Sequence, residues 1–186
     1  MLLRLFVVVL LLTGLPPVCA NAPRLFSAGS MEEIRDRHRA PFLLILWSLD
    51  CPPCRRELKL LGETLQANPK LDLVLIATDG ETRAEEAEQL LARYDLDQTE
   101  SWIFRTANDM RLRYEIDPGW YGELPRSYFY LPDGKRVGYS GPLKPKQIEA
   151  WLRTLSQSSE WISVPRLVYA KAVRVEQKQA KCLGNR

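Results

Sequence analysis

The dithiol Cys51-Pro52-Pro53-Cys54 lies between an unbroken apolar run, residues 42–47, and a stretch with helical spacing. A buried strand, a sharp turn and a helix opening on two cysteines is the arrangement a redox dithiol requires. A thiol at a helix N-terminus meets backbone N–H groups that lack partners and the positive end of the helix dipole, and both favour its thiolate. The two-residue spacing lets the second thiol reach back and close a disulfide. Zinc sites use the same spacing, but they need four ligands. Apart from Cys19, the chain offers only Cys51, Cys54, Cys182 and its one histidine, His38. Such ligands ordinarily sit on short Gly-rich turns, so the residues favour a redox pair, with no metal and no cofactor.

Residues 1–20 read as a signal peptide. Arg4 supplies a short positive region, and residues 5–15 form an apolar core too short to span a bilayer comfortably. Gly14, Pro16 and Pro17 break that core. Val18-Cys19-Ala20 fits the small-residue rule before a cleavage site, and a cut after Ala22 fits it as well. Pro17-Val18 is a poor match to the small residues that lipidation of Cys19 would require. The expected location is therefore exported, and periplasmic in a Gram-negative source. That compartment is oxidising, so a membrane or exported thiol donor is expected to keep the dithiol reduced. Roughly 165 residues remain, enough for one domain with a proper core. No second run is long enough to be a membrane span. The net charge is +3; six basic and two acidic side chains fall in residues 157–186, and the remainder is close to neutral. That is not a nucleic-acid signature.

Residues 24–156 alternate strand and helix patterns. Strands are expected at residues 24–27, 42–47, 71–77, 101–104, 127–131 and 136–139. The run 42–47 has no polar alternation, as expected of a strand buried on both faces. Ser30 with Glu33, and Thr82 with Glu85, have capping-box spacing. Leu58, Leu61 and Leu65 form one helical stripe, and Ala84, Ala87, Leu90, Leu91 and Tyr94 form another. A short helix is expected over residues 108–114, and Ile148, Trp151, Leu152 and Leu155 mark a last amphipathic one. Pro132-Asp133-Gly134-Lys135 is a strong hairpin turn. Parallel central strands joined by helices and closed by a hairpin predict an α/β sandwich. Residues 157–186 form a basic C-terminal extension. Trp161, Ile162, Leu167 and Val168 make it more apolar than a disordered tail, so it is expected to pack back on the domain. Cys182 reads as an exposed free thiol or as an intermolecular link.

Trp47 with Cys51-Pro52-Pro53-Cys54-Arg55-Arg56-Glu57, and Tyr114 followed by Leu124-Pro125-Arg126-Ser127-Tyr128 and Asp133-Gly134, resemble the exported thiol–disulfide oxidoreductases of the TlpA/ResA type. The resemblance runs over about residues 24–155. It implies a thioredoxin fold, a central mixed sheet flanked by helices, and a disulfide-containing protein as substrate. It also implies a cis peptide before Pro125 and a position for that proline against the dithiol, where the flanking Leu124 and Arg126 could pair with a bound peptide. Read from the residues alone, Pro125 is a trans edge-strand proline. The chain departs from the family at Asp50, where an aromatic residue is usual, and at Ile45, where thioredoxins often bury an acid. The segment between Tyr114 and Pro125 is also longer than usual.

Cys51, at the helix N-cap, is the expected attacking thiol, and Cys54, one turn in, the resolving one. Pro52 and Pro53 lack N–H groups, so little beyond the amide of Cys54 can reach the Cys51 sulfur. Asp50 disfavours a thiolate, while Arg55 and Arg56 favour it. The balance points to a mildly stabilised thiolate and a reductant. Glu57 reads either as a proton acceptor for Cys54 or as an ordinary first-turn acid. Trp120 and Tyr121 read either as a substrate-facing rim or as aromatics tucked over the core. Trp47 reads as a packing support, and His38 as a solvated helix-end residue. Two other readings of the chain stay open: a copper-handling or cytochrome-assembly accessory, and a non-enzymatic binding module of the same fold.

Overall fold

The central strand carries the architecture. Strand β2, Leu43–Trp47, is buried at every position, and a strand with two apolar faces must be covered on both sides. The computed structural model describes residues 22–38, 41–131 and 135–156. Within it, β1 (Arg24–Phe26), β2, β3 (Leu73–Gly80), β4 (Glu100–Phe104), β5 (Arg126–Tyr130) and β6 (Arg136–Ser140) form one sheet in the order β1-β4-β3-β2-β5-β6. The β1–β4, β4–β3 and β3–β2 pairs are parallel, and β2–β5 and β5–β6 are antiparallel. The predicted mixed sheet and its closing hairpin are both present. The tip of that hairpin, residues 132–134, the expected signal peptide, residues 1–20, and the expected extension, residues 157–186, lie outside the described residues.

Side-chain alternation along the strands sorts the core into two layers. Leu43, Ile45, Trp47, Leu73, Leu75 and Ile103 face helices α2 (Pro52–Ala67), α3 (Ala84–Ala92) and α5 (Pro145–Ser156). Leu44, Leu46, Val74, Ile76, Trp102 and Phe104 face α1 (Ser30–Arg37) and α4 (Met110–Ile116). The predicted stripe of α2 is buried at Leu58 and Leu61 and half-buried at Leu65. Gly62, on the same helix, lies so close to the Tyr94 carbonyl that a Cβ would collide with it.

Local signals failed at the helix starts. Neither predicted capping box forms. The N-cap of α1 is Gly29, in the left-handed region at φ 87°, with no side-chain cap of its own. Its N–H and that of Met31 donate instead to Glu115 of α4, at 3.1 and 3.0 Å. Glu33 pairs with Arg24 at 2.6 Å. At the other site a single 3-10 turn, Glu81–Arg83, precedes α3, and Arg83 takes the N-cap position. His38 is not solvated either. Its Nδ1 lies 2.8 Å from Asp72 and its Nε2 3.3 Å from Glu100, at the edge where β3 and β4 begin. The hydrogen bond with Asp72 is the main cause that raises its pKa above the ordinary imidazole value, against an opposing effect of burial.

Because the carboxylate of Glu115 caps α1 across 84 residues of sequence, Glu115→Ala is expected to cost about 1 kcal/mol, the usual worth of a lost cap. Glu33→Ala, which loses only exposed ion pairs to Arg24 and Arg37, should cost less than half of that. Urea denaturation of the two variants checks the order.

Candidate active site

The chain leaves β2 at Trp47, turns through Ser48-Leu49-Asp50 and enters α2 with Cys51 as its N-cap. Extended backbone at Cys51 (φ −106°, ψ 98°) aims its sulfur at the first turn. Pro52 and Pro53 occupy the first positions and have no N–H to give. The Cys54 N–H therefore donates to the Cys51 Sγ, at 3.2 Å. Cys51 and Cys54 are joined in a disulfide with Cα atoms 5.2 Å apart. Cys51 is half-buried and Cys54 fully buried. One sulfur can be reached from solvent and the other is shielded.

One buried carboxylate holds this turn, and a second lies behind it on α2. Asp79, at the end of β3, accepts from the Leu49 N–H at 3.0 Å and from the Ser48 hydroxyl at 3.1 Å. Arg55, one turn into α2, closes the loop from the other side, donating through Nε and Nη2 to the Leu49 carbonyl at 3.1 and 2.7 Å. Arg83 donates to Asp50 at 2.7 Å, to Asp79 at 3.2 Å and to Glu86 at 2.9 Å. The sequence reading of Asp50 as a bare negative charge beside Cys51 is therefore corrected. Its hydrogen bond with Arg83 holds its pKa below the usual carboxylate range, and the charge is compensated.

Glu57 is the second carboxylate, and it is no exposed first-turn acid: it is 2% exposed. It accepts from the Ser127 hydroxyl of β5 at 3.2 Å and from the Leu143 N–H before α5 at 2.8 Å. Burial pushes its pKa up to about 7, against the pull of those two hydrogen bonds. Ile45, on the strand register opposite Ser127, is apolar. The buried acid of this layer comes from the helix and not from the strand.

Pro125 follows a cis peptide at Leu124. In the antiparallel register Arg126 faces Leu46, so Pro125 lies level with the point where β2 exits toward Cys51. The Pro125 carbonyl is taken by the Gly141 N–H at 2.8 Å. Leu124 is half-buried and packs on both core layers. Trp47 is buried in the layer that holds Cys54.

Two of the residues read as substrate-facing turn their side chains away from the dithiol layer. Trp120 is 5% exposed and belongs to the opposite core layer, with its indole N–H donating to the Glu123 carbonyl at 2.9 Å. Arg126 also points away from the dithiol layer, because Ser127 is the β5 residue that turns toward Glu57. Its guanidinium donates to Ser140 at 2.6 Å and lies 3.3 Å from Asp117. Asp117 gathers this side of the molecule, accepting also from the Tyr128 hydroxyl at 2.7 Å and pairing with Arg136 at 3.1 Å. Burial works to raise the pKa of Asp117, but these partners together hold it below the ordinary value. Tyr121, next in the chain, is 87% exposed. Asp79 and Arg83, which position the turn, leave one trace in the sequence, an acid closing the apolar run of β3.

No family model matches this chain, and no curated protein matches it in sequence. Solved structures do match in shape. A secreted Mycobacterium tuberculosis disulfide oxidoreductase homologous to E. coli DsbE superposes with a TM-score of 0.50 at 21% identity, over 62% of this chain and 82% of that one. MTB DsbF, in its mixed oxidised and reduced forms, gives 0.51 at 17% identity, over 65% and 84%. A thioredoxin-like protein in the oxidised form gives 0.50 at 17%, over 63% and 79%. The chain has the thioredoxin fold. Its sheet order and its Cys51–Cys54 bridge at the first turn of α2 agree with the expectation drawn from the motifs.

Glu57 makes stability depend on pH in a defined direction. Its pKa is raised in the folded state, so the folded protein holds the proton more tightly than the unfolded chain. This contribution is fully present below the unfolded value near 4.5 and is lost as pH rises through about 7. Glu57→Gln keeps a donor and an acceptor for Ser127 and Leu143 and removes the titration. Urea midpoints should fall less between pH 5 and pH 8 in this variant than in the parent. A second test separates the aromatics. Trp120→Ala should cost about 3–5 kcal/mol of stability as a core truncation, and Tyr121→Ala less than about 0.5 kcal/mol as a surface change.

Proposed function

We propose that this chain is an exported thiol–disulfide oxidoreductase that reduces disulfides in partner proteins. The observation that carries the reading is the disulfide between a half-buried N-cap sulfur, Cys51, and a buried one, Cys54, with a near-neutral carboxyl, Glu57, one helical turn further on. The secreted disulfide oxidoreductase with a similar shape supports it.

In the reduced protein the Cys51 thiolate attacks one sulfur of a substrate disulfide. A mixed disulfide forms, and the first substrate thiolate leaves and takes up a proton. Glu57, as carboxylate, accepts the proton of the Cys54 thiol. Cys54 then attacks the Cys51 sulfur, expelling the second substrate thiolate and closing the Cys51–Cys54 bridge. Two electrons pass from the dithiol to the substrate. A pKa near 7 suits a group that takes and returns a proton at neutral pH. A membrane or exported thiol donor then reduces the bridge again. The reducing direction rests on Cys54 N–H being the sole first-turn donor to the Cys51 sulfur, since two prolines precede it. Export rests on the leader pattern of residues 1–20, and no helix among the described residues is long and apolar enough to cross a membrane. Pro125, Leu124 and the exposed Tyr121 are the residues proposed to meet the partner, and Trp47 packs within the layer that holds Cys54.

The test is insulin reduction by the reduced protein. Cys51→Ala should abolish turnover, and Cys54→Ala should accumulate a mixed disulfide that a non-reducing gel detects. Glu57→Gln should slow resolution about 10²-fold at pH 7, the usual worth of a positioned base, while alkylation of Cys51 proceeds at the parental rate. Full turnover by Cys51→Ala refutes the proposal. Faster oxidation than reduction of model substrates, with a potential above that of glutathione, reverses its direction.

A further inference from the structure

We infer that Arg83 is a positioning residue of the dithiol, clamping the turn before Cys51 and cancelling the charge of Asp50. The inference rests on Cys51 being the attacking thiol, and extends that reading to a residue 32 positions away that touches neither sulfur.

Arg83 closes the 3-10 turn that follows β3. From there its guanidinium spans three carboxylates on three elements. Nη1 donates to Asp50, at 2.7 Å, and to Asp79, at 3.2 Å. Nη2 donates to Glu86 of α3, at 2.9 Å, with a longer contact to Asp50 at 3.4 Å. Asp79 is buried and already holds the Leu49 N–H and the Ser48 hydroxyl. The same guanidinium thus joins the carboxylate that fixes residues 48 and 49 to the carboxylate of residue 50. Every residue between the end of β2 and the nucleophile is tied to this one node, directly or through Asp79. A planar fork with several donors can serve two carboxylates at once, which a lysine ammonium serves less well.

The charges facing the dithiol turn are few. Asp50 precedes it, Arg55 and Arg56 follow Cys54 on α2, Glu57 lies buried beneath, and Asp79, Arg83 and Glu86 come from β3 and its sequel. Arg55 is engaged with the Leu49 carbonyl. Without Arg83, Asp50, next to Cys51 in the chain, would keep only the weaker field of Arg55, and a thiolate beside like charge is disfavoured. Arg83 therefore keeps the thiolate accessible, and with it the rate of attack.

The experiment measures the pH dependence of Cys51 alkylation in the reduced, full-length protein, with the alkylated residue located by peptide mass. Arg83→Gln should raise the Cys51 pKa by roughly half a unit or more, the scale of one adjacent charge at the high effective dielectric of a surface site. Combining it with Asp50→Asn should remove at least half of that rise. Arg83→Lys should restore the pKa in part and leave the turn looser, seen as faster amide exchange at Leu49. An unchanged pKa in Arg83→Gln overturns the inference, as does a rise that persists in full when Asp50 is neutralised. Should Arg83→Gln not fold, Asp50→Asn alone decides, since it must lower the Cys51 pKa if Asp50 bears on the thiolate. Alkylation at Cys54 ahead of Cys51 would instead refute the proposed function.

Discussion

A buried carboxylate on α2 joins the parts of the site that the chain supplies separately. Glu57 accepts hydrogen bonds from Ser127 on β5 and from Leu143 before α5. It thereby locks the dithiol helix to the strand that follows Pro125 and to the segment that returns after the hairpin. An acid in an apolar layer costs solvation unless it is hydrogen-bonded or neutral, and here both remedies are in use. The two donors satisfy its oxygens, and its raised pKa lets it carry a proton near neutrality. The same property that lets Glu57 sit in the core is the one that the proposed proton transfer from Cys54 requires.

The turn itself has its own support. Asp79 fixes the backbone at Leu49, Arg55 reaches back to the Leu49 carbonyl, and Arg83 ties Asp50 into the same node. Loops that carry reactive groups work when a rigid scaffold positions them. Here the scaffold is β2 and β3, both almost wholly buried, whose parallel pairing brings the Ser48–Asp79 contact to the end of the sheet where the dithiol stands. The two core layers divide the labour. The layer of α2, α3 and α5 holds Cys54, Trp47 and Glu57. The other holds Trp120 and, with Asp117, Arg126 and Arg136, the polar network behind β5 and β6.

The sequence by itself determined which segments enter the sheet and where the dithiol stands along the chain. Residues 42–47 had to be a doubly buried strand because they contain no polar side chain. Cys51 had to stand at a helix start because two prolines follow it and a leucine stripe begins behind them. Those are local constraints of burial and backbone, and periodicity reads them well. What only the tertiary structure decided were matters of which group meets which. Glu115 took over the cap that Ser30 and Glu33 were spaced to make, because an opposing helix brings a carboxylate to the free N–H groups. Trp120 went inward and Tyr121 outward, a choice that a loop without periodicity does not encode. Arg126 followed the alternation of β5 away from the dithiol, and His38 found one acid just before β3 and another at the start of β4. In each case the partner lies far along the chain, and the energy of a polar or charged contact depends on distance in space, which spacing in sequence does not supply.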